Sequence, residues 1–125
     1  MILDTNALSA LAGRDPAIIQ QLSSAPILDV PFVTLGEYLY GLRRSQFQNQ
    51  LESWLQAFLK GVDVTYPNEE ILSIYADLRV ELREAGTPIP ANDVWIAAIV
   101  RYRNMPLVSR DAHFDHVRLL RRVEW

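Results

Sequence analysis

Short apolar segments alternate along this chain with longer segments of helical periodicity, and the alternation limits the possible folds more than any other feature. Apolar segments of strand length lie at residues 1–4, 27–33, 62–66, 107–109 and 121–125. Helical spacing or helix-start residues mark the stretches at 5–12, from 15 onward, 34–42, 46–59, 68–85 and 93–103. Strands separated by helices pair in parallel, because a parallel connection needs a crossover. The sequence therefore predicts an α/β fold of three layers (α/β/α), with a central, mostly parallel sheet of four to five strands.

Capping and breaking residues predict where several helices begin and end. Gly13 and Gly86 each follow the last apolar position of a predicted helix, where glycine commonly ends it. Thr34 and Asn92 precede two others, and a threonine or asparagine at such a position predicts a side-chain cap. The segment 93–103 is apolar on nearly every face, so we expect its helix to be buried.

The length and composition indicate one domain, which we place at residues 1–125. A chain of 125 residues with 50% apolar and 22% charged residues is typical of a single compact domain. It contains no cysteine, which excludes disulfides, thiolate metal ligands and a cysteine nucleophile. No apolar run is long enough to span a membrane, and Asp4 interrupts the opening apolar segment, so we expect neither a secretory signal nor membrane association. We therefore predict a cytoplasmic protein.

Charge is distributed unevenly along the chain. The net charge is -3, but the first 100 residues carry -6 and the last 25 carry +3. An acidic body argues against binding nucleic acid through bulk electrostatics. Eleven of the twelve cations are arginine, however, which forms bidentate hydrogen bonds with phosphate. The candidate phosphate contacts in the basic end are Arg101, Arg103 and Arg110.

Four acidic residues lie where the predicted strands end. They are Asp4 at the end of the first strand, Glu37 in the first turn of the helix after the second, Asp93 at the start of the buried helix, and Asp111 two residues beyond the fourth strand. Parallel α/β sheets bind ligands beyond the carboxyl ends of their strands, so we expect these carboxylates at one edge. Clustered carboxylates repel one another unless protons or cations neutralise them, and oxygen ligands favour Mg²⁺ or Mn²⁺ over zinc. The four acids predict a divalent-metal site, although each alone also fits a cap, a helix-dipole partner or a turn.

Polar residues beside these acids are candidates for a supporting role. Thr5, Asn6 and Ser109 could hold a metal-bound water or orient a carboxylate, and ordinary capping or turn chemistry explains them equally well. His113 and His116 are three residues apart, a spacing that ligands on a helix can use. For both histidines we favour a solvated or packed role over metal ligation.

Four motifs stand in the order and spacing of the PIN domain, and the chain resembles in particular its small toxin ribonucleases of the VapC type. The motifs are DTN at 4–6, TLGEYLYG at 34–41, NDVWIAA at 92–98 and SRDAHF at 109–114, and the resemblance extends from residue 1 to about 117. It implies that the metal-binding quartet is Asp4, Glu37, Asp93 and Asp111. It also implies that Thr5 or Ser109 assists and that Asp115 is an additional acid.

The same resemblance implies Mg²⁺- or Mn²⁺-dependent endonucleolytic cleavage of RNA, a homodimer, and inhibition by a cognate antitoxin. The carboxylates would build the geometry in which a water molecule attacks phosphorus in line, and either Asp93 or Asp111 could accept its proton. One alternative is an inert domain of this fold that binds RNA or a protein partner. Another is a metal-dependent phosphatase or phospho-acceptor receiver. It fits worse, because that chemistry needs a lysine after a late strand, and the only lysine, Lys60, lies in mid-chain at the end of a predicted helix.

The predicted helix after residue 34 carries a possible association surface. The segment carries four apolar or aromatic side chains within about one helical turn, Tyr38, Leu39, Tyr40 and Leu42. A small domain has limited capacity to bury all of them. An exposed apolar patch of this kind commonly marks an interface. We therefore expect these residues to contribute to a homodimer contact.

Overall fold

A computed structural model describes residues 1–125 and shows strands and helices in the predicted alternation. In chain order the elements are β1 (Ile2–Leu3), α1 (Thr5–Ala12), α2 (Pro16–Leu22), β2 (Asp29–Pro31), α3 (Phe32–Arg43), α4 (Gln48–Leu59), β3 (Asp63–Thr65), α5 (Glu69–Glu84), α6 (Ala91–Arg103), β4 (Leu107–Val108), a 3-10 helix (Ala112–His116) and β5 (Arg122–Val123). None of the helices combines the length and the apolar composition needed to cross a bilayer.

The five strands form one sheet in the order β3-β2-β1-β4-β5. Every neighbouring pair is parallel, so the predicted α/β sheet is confirmed and is parallel throughout. The chain extends the sheet from β1 in one direction to β2 and β3, and later in the other direction to β4 and β5. The order of the strands therefore reverses between β1 and β4, and α/β sheets bind ligands at such a point.

Alternate residues of the central strands face the two helical layers. Ile2 and Leu107 contribute to the core beneath α5 and α6, whereas Leu3 and Val108 contribute to the core beneath α1, α2 and α4. All four side chains are fully buried, as period-2 alternation between two covered faces requires. This packing gives the predicted three layers.

Helix α6 is buried as predicted but begins two residues earlier than expected. Ile96, Ala98 and Ile99 have no exposed surface. Pro90 has extended backbone angles and precedes the first turn, and no side chain caps this helix. The predicted cap at Asn92 is therefore wrong, because Asn92 already lies within the first turn.

The start of α3 also differs from the prediction. The strand ends at Pro31, and the helix begins at Phe32 without a side-chain cap. Thr34 is buried inside the first turn, and its hydroxyl donates to the carbonyl oxygen of Leu3 at 3.0 Å. The prediction that Thr34 caps the helix is wrong, and Glu37 lies in the second turn rather than the first.

The expected apolar patch on α3 is mostly internal. Tyr38 and Leu42 are buried, and Leu39 packs partly buried against the same core. The Tyr38 ring lies edge-on to Trp54 of α4, with 6.2 Å between the ring centroids. Tyr40 alone is exposed, so the prediction that these four side chains form one open patch is wrong.

Candidate metal centre

The predicted acids meet at the carboxyl edge of the sheet, at the reversal between β1 and β4. Asp4 directly follows β1 and accepts a hydrogen bond from the backbone N–H of Thr5 at 2.7 Å, which caps α1. Asp111 follows β4 and caps the 3-10 helix in the same way through the backbone N–H of His113 at 2.9 Å. Asp93 enters from the first turn of α6. The capping roles expected for single acids and the clustering expected for the set therefore occur together.

Ser109 connects the two central strand ends at this edge. Its side chain is fully buried, and its hydroxyl donates to Asp4 Oδ2 at 2.6 Å while accepting the backbone N–H of Asp111 at 2.9 Å. Asn6 donates to the same Asp4 oxygen at 3.2 Å. The candidate supporting residues Ser109 and Asn6 thus hold the Asp4 carboxylate in one orientation.

Glu37 is held by neutral donors on both of its oxygens. The Thr5 hydroxyl donates to Oε2 at 2.6 Å, and the Asn92 amide donates to Oε1 at 2.8 Å. The contact with Asn92 joins α3 to α6. Sequence reasoning assigned Asn92 only to capping and missed its place beside the acids. The available signal was its position next to Asp93 on a helix expected to be buried.

Burial and mutual repulsion raise the pKa values of two of the acids. Asp4 is 6% exposed, and burial raises its pKa with smaller contributions from Asp111 and Glu37, against the hydrogen bonds from Ser109 and Thr5. Burial, followed by the charges of Asp111 and Asp4, raises the pKa of Asp93 to about 6. The carboxylates of the set therefore repel one another at this edge.

No arginine or lysine forms an ion pair with any of the four acids. Their nearest cationic candidate is His113, whose Nδ1 lies 3.1 Å from Asp111 Oδ1 and 3.5 Å from Asp93 Oδ2. One ligand atom from each of Asp93, Asp111 and His113 falls within 4.8 Å of the other two. This position differs from the solvated or packed role that we expected for His113.

The donor set fits a divalent cation that prefers oxygen ligands. Asp4, Asp93 and Asp111 lie close enough to interact electrostatically, and none of them pairs with an arginine or lysine. Neutral hydrogen-bond donors orient the carboxylates of Asp4 and Asp111. Buried uncompensated carboxylates are costly unless a proton or a cation neutralises them. Oxygen-rich sites of this kind suit Mg²⁺ or Mn²⁺.

The structure separates Asp115 from the other acids. Its two carboxylate oxygens each accept a hydrogen bond from Arg122 at 2.8 Å, and this arginine lowers the pKa of Asp115. Arg122 also donates to the backbone carbonyl of Ser109 at 3.1 Å. The contacts of Asp115 therefore link the 3-10 helix to β5, and none of them reaches the acidic centre.

The three arginines considered for RNA contact all have partners within the chain. Arg101 forms a bidentate pair with Glu81 at 3.1 and 3.2 Å. Arg103 contacts Asp29 at 3.2 Å and Asp63 at 2.8 Å, and these acids begin β2 and β3 at the opposite edge of the sheet from the four acids.

Arg110 alone lies beside the acidic centre. Its backbone N–H donates to the Asn6 side chain at 3.3 Å, and its guanidinium stacks 4.3 Å from the centroid of the Trp125 ring. A role in RNA contact remains a prediction for Arg101, Arg103 and Arg110, and the geometry favours Arg110.

The parallel sheet and the acids gathered where its strand order reverses define an α/β domain with an acidic centre. Comparison with known proteins specifies the class further. The chain belongs to the PIN domain family, whose model matches residues 1–120. The family inferred from the four sequence motifs is thus confirmed.

Relatives match the chain over nearly its whole length. It is 31% identical over 129 residues to Ribonuclease VapC1 of Haemophilus influenzae (strain R2866), covering 99% of this chain and 96% of the relative. It is 27% identical over 128 residues to the tRNA(fMet)-specific endonuclease VapC of Shigella flexneri, with coverage of 99% and 96%.

Solved structures share the fold. A chain of VapBC-1 from nontypeable Haemophilus influenzae has a TM-score of 0.85 at 28% identity, covering 99% of this chain and 96% of that one. A chain of VapBC2 from Rickettsia felis, bound to a DNA fragment from their promoter, has a TM-score of 0.86 at 25% identity, with coverage of 99% and 97%.

Proposed function

We propose that this protein is an endoribonuclease that hydrolyses RNA phosphodiester bonds at its acidic centre with the help of Mg²⁺ or Mn²⁺. The observation that carries the proposal is the placement of Asp4, Asp93 and Asp111 at the reversal of strand order, where they interact electrostatically and pair with no arginine or lysine. The names of the relatives, which include ribonucleases and an endonuclease, support the same activity.

The side chains divide into those that would hold the cation and those that orient them. Asp4, Asp93 and Asp111 would be the ligands, with Glu37 completing the acidic set. When bound, a divalent cation activates water and stabilises charge on the phosphate oxygens. Holding the carboxylates in place before the substrate arrives avoids the cost of reorganising them during the reaction.

The orienting residues act through the hydrogen bonds already described. Ser109 and Asn6 fix the plane of the Asp4 carboxylate, and Thr5 and Asn92 occupy one oxygen each of Glu37. Because the donors are neutral, they orient the carboxylates without cancelling the negative charge that a cation requires.

The proposal extends to partners. We infer that the chain is the toxin of a toxin-antitoxin pair, that a cognate antitoxin protein binds and inhibits it, that it forms a homodimer, and that it acts in the cytoplasm. The support is its similarity over nearly the full length to VapC ribonucleases and to chains of the VapBC-1 and VapBC2 structures.

An RNA cleavage assay on the purified protein tests the activity. A mixed RNA pool that includes tRNA is incubated with Mg²⁺, with Mn²⁺ or with EDTA. We expect cleavage only with a divalent cation, and a loss of at least about a hundredfold in Asp4→Asn and Asp93→Asn, since each removes a charged ligand. Circular dichroism checks that the variants fold.

Asp77→Asn is the matched control, because Asp77 is an exposed acid on α5, a helix that supplies none of the four acids. This variant should cleave at the wild-type rate. Cleavage that persists in EDTA, or near-wild-type rates in both centre variants, would overturn the proposal. Binding of RNA without any cleavage would favour the inert domain instead.

A further inference from the structure

His113 is the one side chain at the acidic centre whose nitrogen can bind a metal ion. The chain positions it closely, because Asp111 caps the short 3-10 helix by accepting the backbone N–H of His113 at 2.9 Å. The same Asp111 oxygen lies 3.1 Å from the imidazole Nδ1. The ring is thus directed toward the carboxylates by the turn that carries it.

The distances around Nδ1 suit a shared cation. Adjacent ligands of an octahedral ion with bonds of about 2.1 Å lie roughly 3 Å apart. Nδ1 lies 3.1 Å from an Asp111 oxygen and 3.5 Å from an Asp93 oxygen. The three side chains come from two separate elements, α6 and the segment after β4, and nevertheless place one ligand atom each within 4.8 Å of the others.

We propose that His113 is a nitrogen ligand of the metal centre, through Nδ1, and that it biases the centre toward a transition-metal ion such as Mn²⁺ over Mg²⁺. Mg²⁺ prefers oxygen ligands and retains its waters, whereas imidazole nitrogen binds first-row transition ions well. The inference rests on the proposed function, since it requires that the acidic centre hold a divalent cation.

His116 provides a matched control for this ligand. It lies at the other end of the same 3-10 helix, is exposed, and acts electrostatically on Asp115 rather than on the four acids. His113 and His116 are the two histidines of the chain. In protein without a histidine tag, His116 is therefore the only source of imidazole other than His113.

Electron spin-echo envelope modulation of the Mn²⁺-loaded protein tests direct coordination. A coordinated imidazole nitrogen gives a ¹⁴N modulation that oxygen ligands do not give. We expect this modulation in the wild type and in His116→Gln and its loss in His113→Gln. The measurement reports on the metal itself and does not depend on cleavage activity.

Calorimetric titration with Mn²⁺ and with Mg²⁺ tests the bias. In His113→Gln the Kd for Mn²⁺ should rise on the order of tenfold, while the Kd for Mg²⁺ should change less than about threefold. His116→Gln should bind both ions as the wild type does. Asp93→Asn identifies the site being titrated, because this variant should weaken the binding of both ions.

The outcomes separate this inference from the proposed function. If Mn²⁺ binds in an Asp93-dependent way but the wild type lacks ¹⁴N modulation, or if His113→Gln binds both ions normally, the role of His113 is refuted and the metal centre stands. If neither ion binds in a way that Asp93→Asn weakens, the proposed function fails and the inference fails with it.

Discussion

Asp93 carries an electrostatic cost that no arginine or lysine offsets and that His113 offsets only in part. Its side chain is 16% exposed, and burial together with Asp111 and Asp4 raises its pKa from 3.8 to about 6. At pH values between 3.8 and about 6, Asp93 therefore keeps its proton in the folded chain and loses it in the unfolded chain. The free energy of unfolding therefore falls as pH rises from about 4 through 6, and at neutral pH the charged form costs at most about 3 kcal/mol.

Replacing this carboxylate by its neutral isostere should remove the cost. Without metal, we predict that Asp93→Asn raises the free energy of unfolding at pH 7.5 by about 1–3 kcal/mol and that the gain disappears near pH 4. Urea denaturation in EDTA across this range measures it, with Asp77→Asn as the control that should show no such trend. A variant less stable than the wild type at every pH would instead indicate a structural carboxylate.

Helix α6 is attached to the sheet at its other end by an ion pair between Arg103 and a buried aspartate. Asp29 at the start of β2 is fully buried, and its Oδ2 accepts the Thr65 hydroxyl at 2.5 Å and contacts Arg103 at 3.2 Å. Burial raises the pKa of Asp29, and the arginine opposes this shift. The left-handed backbone of Asn104, with φ of 51°, then ends the helix.

This attachment predicts unequal roles for two arginines that lie two residues apart on α6, Arg101 and Arg103. Arg103→Met should lower the free energy of unfolding by about 3–5 kcal/mol, because it removes the guanidinium that pairs with the buried Asp29 carboxylate. Arg101→Met breaks only a surface pair with Glu81 and should cost about 0–1 kcal/mol. Urea denaturation at neutral pH compares them. Equal small losses would show that Arg103 does not stabilise Asp29.

Local sequence rules predicted the elements better than the uses of particular side chains. Residue type suggested caps at Thr34 and Asn92, but prolines begin both helices earlier. The two side chains instead make contacts that depend on the tertiary fold, Thr34 with the β1 carbonyl and Asn92 with Glu37, which is 55 residues away. Likewise, the approach of His113 to Asp93 exists only after α6 packs beside the segment following β4.

The positions of the acids were predictable because they follow from topology rather than from local contacts. A parallel sheet places all strand ends of one type at one edge, so Asp4 and Asp111 had to lie at the same edge once the fold class was known. The strand order then made them neighbours, since β1 pairs directly with β4. The order itself could not be read from the chain, because alternation alone permits several arrangements.

On the scale of the whole molecule, the centre joins elements from both ends of the chain. Asp4 follows the first strand, Glu37 lies on α3, Asp93 on α6, and Asp111 beyond β4. A cation held by them binds the native state and has no preformed site in the unfolded chain. At a free concentration of one hundred times Kd it should stabilise the fold by about 2.7 kcal/mol, roughly 10 °C in Tm for a domain of this size.

Thermal denaturation in EDTA and in saturating Mn²⁺ therefore tests most directly whether the four acids form a metal centre. The wild type and Asp77→Asn should both melt roughly 10 °C higher with Mn²⁺. Asp93→Asn should melt higher than the wild type in EDTA and should gain less from the cation. An unchanged wild-type Tm in Mn²⁺, or an equal gain in Asp93→Asn, would contradict the assignment of these acids as a metal centre.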